Sequence, residues 1–152
     1  MIQVRLATID DLPAYVEMAR LFHLASPVRD VLEFDAVGYA EFYKSALFNV
    51  DIGMWLAEVD GKLVGIAGAL MYGIYFSPDT RVAQELWWYL APEARGTGAG
   101  AVMFAHIEQW ASSQKAKAIF MIALENERVG SMVKVYGRAG YFPTERTFMK
   151  EI

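Results

Sequence analysis

None of the 152 residues is cysteine. That excludes disulfides, thiolate-held metals and any thioester formed on the protein itself. Histidine is nearly as scarce, with only His23 and His106, so no histidine-rich metal site is expected. Positive charge is also in short supply. Against 14 Lys and Arg stand 18 Asp and Glu, for a net charge of −4. No basic cluster suited to a phosphate backbone stands out, which argues against nucleic acid as a partner. Long apolar runs are missing too. The longest uncharged stretch, Leu63 to Pro78, carries three glycines and is shorter than the ~20 residues a membrane helix needs. The first residues include Arg5 and Asp10 and hold no apolar signal core. The expectation is a cytoplasmic protein without membrane contact.

What the chain has in plenty is apolar and aromatic side chains, 55% and 14% of the sequence. That is enough for one sizeable core, and a single domain over residues 1–152 is expected. Gln3 to Ala7 alternates like an edge or near-edge strand. Thr8-x-x-Asp11 resembles a capping box, and Leu12, Tyr15, Val16, Ala19, Phe22 and His23 recur at helical spacing. Ser26-Pro27 ends this helix, and a second is expected from about Phe34 to Phe48. Met54–Val59 and Lys62–Ala69 flank Asp60-Gly61, a hairpin signal, and the second arm extends towards Tyr75 with Gly68 or Gly73 permitting a bulge. A turn is expected at Ser77-Pro78-Asp79, a strand over Val82–Leu90 and a third helix over Gly98–Ser113. Ala118–Leu124 reads as a central apolar strand, Arg128–Ala139 as a short helix and Thr147–Ile152 as a last strand. The expected fold is α/β (α+β), with a mixed, mostly antiparallel central sheet and helices on both faces.

The most informative stretch runs from Trp87 to Gly100. An apolar strand meets a Pro-containing turn, then Arg95 and glycines at 96, 98 and 100, then an amphipathic helix. Glycines leave backbone N–H groups open to an anion, and the positive end of the following helix adds attraction. The order describes a site for a phosphorylated cofactor. One reading is a Rossmann-type nucleotide binder, since Gly96-x-Gly98-x-x-Ala101 fits the dinucleotide fingerprint and Glu125 could serve as its ribose acid. Against it, the turn lies two-thirds along the chain, and what precedes it is mostly strand and hairpin.

Arg95-x-x-Gly98-x-Gly100 instead resembles the acyl-CoA signature of the GNAT acetyltransferase superfamily. Tyr136-Gly137-Arg138-Ala139-Gly140-Tyr141 resembles that superfamily's Tyr-x-x-x-Gly-aromatic motif, and Ile2 to Leu12 its first strand and helix start. The resemblance spans essentially the whole chain. It implies an N-acetyltransferase with acetyl-CoA as acyl donor and an amine, small-molecule or peptide, as acceptor. Pyrophosphate would lie on Arg95, Gly96, Thr97, Gly98, Ala99 and Gly100, with the pantetheine arm along the strand ending at Leu90. Asn126 would bond that arm, or alternatively cap a turn. Tyr136 would stand beside the thioester sulfur, or else be a core tyrosine. Glu85, in the strand before the turn, lies where family members place a general base, though it could equally be a structural carboxylate. The need for a base is real: freeing an alkylamine of pKa ~10.4 at pH 7 costs about 4.6 kcal/mol. Without cysteine, the amine must attack the thioester directly in a ternary complex. A non-catalytic acyl-CoA sensor on the same fold is the rival, and a homodimer stays open.

Overall fold

In the computed structural model, which describes residues 1–152, the alternating segment Ile2–Leu6 forms β1. The Thr8 N–H donates to Asp11 Oδ2 at 2.8 Å, so the expected capping box is present. A short 3-10 turn then leads into α1 (Leu12–Leu24), where Pro13 occupies a first-turn position whose amide has no partner to lose. α2 (Ala36–Leu47) begins at Asp35, whose carboxylate accepts from the Gly38 N–H at 2.9 Å. β2 (Ile52–Val59) and β3 (Lys62–Ile74) form the expected hairpin across Asp60-Gly61, both with positive φ as a two-residue turn of this kind requires. β4 (Ser77–Leu90), α3 (Ala99–Ser113), β5 (Ile119–Phe120) and α4 (Val129–Arg138) follow.

The strands lie in the order β1-β2-β3-β4-β5, antiparallel except for the parallel pair β4–β5. Alternation along the strands builds a core on each face. Leu56, Ile66, Trp87 and Tyr89 meet Tyr15 of α1 and Tyr43 of α2. Trp55, Ala57 and Ala67 meet Met103 and Ile107 of α3. The buried Tyr15 hydroxyl donates to the Ala67 carbonyl and accepts from Trp87 Nε1, both at 2.8 Å, so three elements share one satisfied polar chain. The mixed sheet with helices on both faces matches the sequence expectation. An antiparallel hairpin sheet contains no pair of βαβαβ halves, so the dinucleotide reading does not apply.

Three expectations are corrected. The turn after β3 is Tyr75-Phe76, not Ser77-Pro78-Asp79, because Ile74 already pairs with Ser77. The Ser-Pro segment forms an irregularity within β4 instead, where a Cβ on Gly73 would lie 2.3 Å from the Pro78 carbonyl oxygen. Ala118–Leu124 is not a central strand: only Ile119 and Phe120 pair, at the sheet's edge. Thr147–Ile152 forms no strand and makes no backbone hydrogen bond. The two-residue β5 leaves it almost no ladder to extend.

Candidate active site

β4 and β5 pair at Ala83↔Ile119 and Gln84↔Phe120 and then separate. The cause lies in β4. Ala69 pairs with Glu85 but Gly68 pairs with Trp87, so Leu86 is an extra, unpaired residue. Such a bulge bends the strand and shifts its alternation. Glu85 and Trp88, three apart, therefore face the same side, as Ala69 and Ala67 opposite them do. The gap opens into a cleft of about 790 Å³ between the start of α3, the end of α1 and α4.

Side chains replace the lost ladder. The Ile122 N–H donates to Glu85 Oε2 at 3.0 Å, and the Ile122 carbonyl accepts from Tyr136 Oη at 2.7 Å. Glu85 is 3% exposed. Burial pushes its carboxyl up to about 7, and the Ile122 N–H opposes the rise only in part. Tyr136 is buried against Trp88 and Phe104. Burial first, then the nearby Glu85, drives its phenol far above the usual tyrosine range. A carboxylate titrating near neutrality and a strongly bound phenol thus hold the two backbone polar groups of one residue, Ile122, at the cleft floor.

The other end of the cleft is an anion cradle. Gly98, with φ 96°, turns the chain into α3. Thr97 Oγ1 donates to the Ala94 carbonyl at 2.7 Å and accepts from the Ala99 N–H at 3.3 Å, pinning the turn. The N–H groups of Gly96, Gly98, Gly100 and Ala101 donate to no protein acceptor. Arg95 and Arg128 face the same cleft, close enough that Arg128, after burial, lowers the Arg95 pKa. Arg138 lines it as well. None of these three arginines forms an ion pair. Arg128 also stands at the N-cap of α4, where a cation opposes the helix dipole. In a chain of net charge −4, this gathering of arginines outside any ion pair and of free amides fits a pyrophosphate.

The model of the acetyltransferase (GNAT) family matches residues 16–141. The chain belongs to this family. It is an acyltransferase, and acetyl-CoA is its acyl donor. No curated protein matches it in sequence. Among solved structures it is similar to a transcriptional regulator from Bacillus halodurans C-125, at 16% identity over 100% of both chains with a TM-score of 0.79. The aminoglycoside antibiotic 6'-N-acetyltransferase AAC(6')-Ih from Acinetobacter baumannii is 15% identical over 100% of this chain and 99% of its own, with a TM-score of 0.76. A predicted acetyltransferase from Clostridium acetobutylicum, solved with acetyl-CoA, is 19% identical over 99% and 96%, with a TM-score of 0.74. At these identities the likenesses show a shared fold.

On this GNAT fold, Glu85, Leu90, Arg95, Gly96, Gly98, Gly100, Asn126 and Tyr136 all line one cleft. Thr97 and Ala99 do not line it and serve the geometry of the turn. Asn126 is engaged at both ends: its side chain accepts from the Arg128 N–H at 2.9 Å and donates to the Ala25 carbonyl at 3.3 Å. That is the turn-capping role. Glu125 points to Arg146 at the surface. Sequence reasoning passed over Arg128 and Arg138. A signal was present for Arg138, which has no acidic residue within four positions on the helix that carries Tyr136.

Proposed function

We propose that the protein transfers an acetyl group from acetyl-CoA to a small-molecule or peptide amine by direct attack in a ternary complex. The observation that carries this reading is the pairing, in one cleft, of a free-amide turn with a buried carboxylate that titrates near pH 7. The amide cradle, with Arg95 and Arg128, would hold the pyrophosphate, and the open edge of β4 past the bulge would receive the pantetheine arm. Glu85 would take a proton from the amine as its nitrogen bonds to the acyl carbon and the carbon–sulfur bond breaks. Tyr136 would serve the departing sulfur by turning its hydroxyl from the Ile122 carbonyl. Its raised pKa makes it a weak acid, which favours a hydrogen bond to the thiolate over full proton transfer. The likeness to an aminoglycoside 6'-N-acetyltransferase supports an amine acceptor.

Calorimetry should give one acetyl-CoA site per chain and no heat with NAD. Thiol release should then depend on added amine. Absence of acetyl-CoA binding defeats the reading. Binding without amine-dependent release leaves an acyl-CoA-binding module on the same fold.

A further inference from the structure

Tyr136 is the only buried side chain of α4, and three rings hold it: Trp88 at 6.3 Å, Phe104 at 6.1 Å and Tyr141 at 5.8 Å, centre to centre. Trp88 and Phe104 sit on β4 and α3 and stack on each other at 5.6 Å. Tyr141 has no such element beneath it. It lies past the end of α4, after Gly140 with φ 89°, and the chain beyond it forms no backbone hydrogen bond. Its anchor is Glu108, one turn beyond Phe104 on α3, whose carboxylate accepts from the Tyr141 hydroxyl at 3.0 Å. This is the single hydrogen bond between α3 and the chain from α4 onward. Glu108 forms no ion pair, and neither it nor Tyr141 lines the cleft. Burial first, then Glu108, drives the Tyr141 phenol well above the usual tyrosine range, so it stays a donor at neutral and mildly alkaline pH.

We infer that Glu108 is a positioning residue: through the Tyr141 hydroxyl it fixes the ring that Tyr136 rests against, and so sets the aim of the Tyr136 hydroxyl at the departing sulfur. This rests on the role proposed above for Tyr136. That role requires the hydroxyl to leave the Ile122 carbonyl and meet the thiolate, and the turn keeps its aim only if the rings around it stay in place. Contacts with Phe104, at 5.7 Å, and with Tyr136 need only the ring of Tyr141, which a phenylalanine would supply. The hydroxyl adds a fixed link to α3, the helix whose start carries the amide cradle. One helix thereby positions both ends of the donor, the phosphates at its first turn and the sulfur through Glu108, Tyr141 and Tyr136.

The test needs no acceptor. CoA affinity is measured by calorimetry on either side of the thiol pKa, and acetyl-CoA, which has no thiol, corrects for every other group that titrates. The ratio of CoA to acetyl-CoA affinity, taken at the higher pH relative to the lower, then reads the hydrogen bond to the thiolate. Tyr136→Phe should lower it roughly tenfold or more, the scale of one bond to a charged group. Tyr141→Phe and Glu108→Ala should each lower it roughly threefold or more through misplacement, and together no further than either alone. Glu108→Gln keeps an acceptor for the hydroxyl and should stay near the parent. In a Tyr136→Phe background, Tyr141→Phe should change nothing. Acetyl-CoA binding near neutral pH checks that each variant is folded, and Glu108→Ala carries the same reading should Tyr141→Phe fail that check. A loss confined to melting temperature would make the pair a strut between α3 and α4 and overturn the inference. An equal fall in both backgrounds, or a Glu108→Gln that behaves like Glu108→Ala, overturns it as well. If Tyr136→Phe keeps the parental ratio, the role of Tyr136 fails on its own measurement and takes the inference with it. Failure of CoA and acetyl-CoA to bind the parent defeats the acetyl-transfer reading instead.

Discussion

Glu85 combines almost complete burial with a single backbone donor, and the two set its chemistry. A surface carboxylate would be ionised at pH 7 but too weak a base to take a proton from an ammonium. Raised to about 7, Glu85 is half-ionised near neutrality and a far better match. In the parent protein kcat/KM should therefore rise with pH through about 7. Glu85→Gln keeps the shape and the Ile122 contact but removes the acceptor. It should lose roughly 10²–10⁴-fold at pH 7, and the deficit should shrink at higher pH as free amine accumulates. A pH–rate profile that keeps the limb near 7 in this variant would remove Glu85 from the chemistry. Tyr136→Phe should lower kcat by roughly 10–10³-fold with acetyl-CoA affinity nearly unchanged, the scale of one positioned donor. It also strips the Ile122 carbonyl of its partner, so some loss in melting temperature is expected with it. Equal turnover with that lower melting temperature would make Tyr136 a strut for Ile122.

The turn into α3 separates two kinds of glycine. Gly98 has φ 96°, so any side chain there strains the backbone whether or not a ligand binds. For Gly98→Val, lost binding and lost folding therefore come together. Gly100 is different: a Cβ there would sit at an ordinary 3.7 Å from Leu90 and Trp88, inside a regular helix. Packing does not demand glycine at this position, and Gly100→Ala should stabilise the protein by roughly 0.5–1 kcal/mol. If the pyrophosphate rests against this backbone, the same change should weaken acetyl-CoA binding tenfold or more. Stability and affinity moving in opposite directions, by melting and by calorimetry, is the signature; unchanged affinity would move the phosphate elsewhere. The turn, the hairpin and the helices were legible because each rests on local rules: glycines at fixed offsets, Asp-Gly between apolar runs, helical spacing from Leu12 to His23. β5 was not. Ile119 to Leu124 has the composition of a buried strand, but its pairing ends because β4, far away in sequence, bulges at Leu86. A bulge could be suspected at Gly68 or Gly73 of β3, yet nothing local says that Leu86 is the extra residue opposite, or that Glu85 and Tyr136 take over the bonds of Ile122.

Acid–base balance in the whole molecule follows from two carboxylates pushed in opposite directions. Asp11 is held down to about 2, chiefly by hydrogen bonds from Arg5, which also reaches Glu58 and so ties β1 and β2 to the start of α1. Its folded pKa lies below the unfolded one, so its contribution is present above pH 4 and fades as pH falls towards 2. Glu85 acts in the reverse sense. Its folded form holds a proton more tightly than the unfolded chain does, so its cost is absent below about 4.5 and grows as pH rises to about 7. At 1.36 kcal/mol for each pKa unit that cost reaches about 3 kcal/mol. Thermal melting should consequently peak near pH 5, fall by roughly 5–10 °C on going to pH 7.5, and fall again in acid. Glu85→Gln should flatten the neutral limb and leave the acid limb, which belongs to Asp11, in place. A parent protein that gains melting temperature between pH 5 and 7.5, or a variant that keeps the same slope, would show that the carboxylate is solvated in the folded state. It would then be too weak a base for the role proposed for it, so melting without any substrate tests the same group as the pH–rate profile.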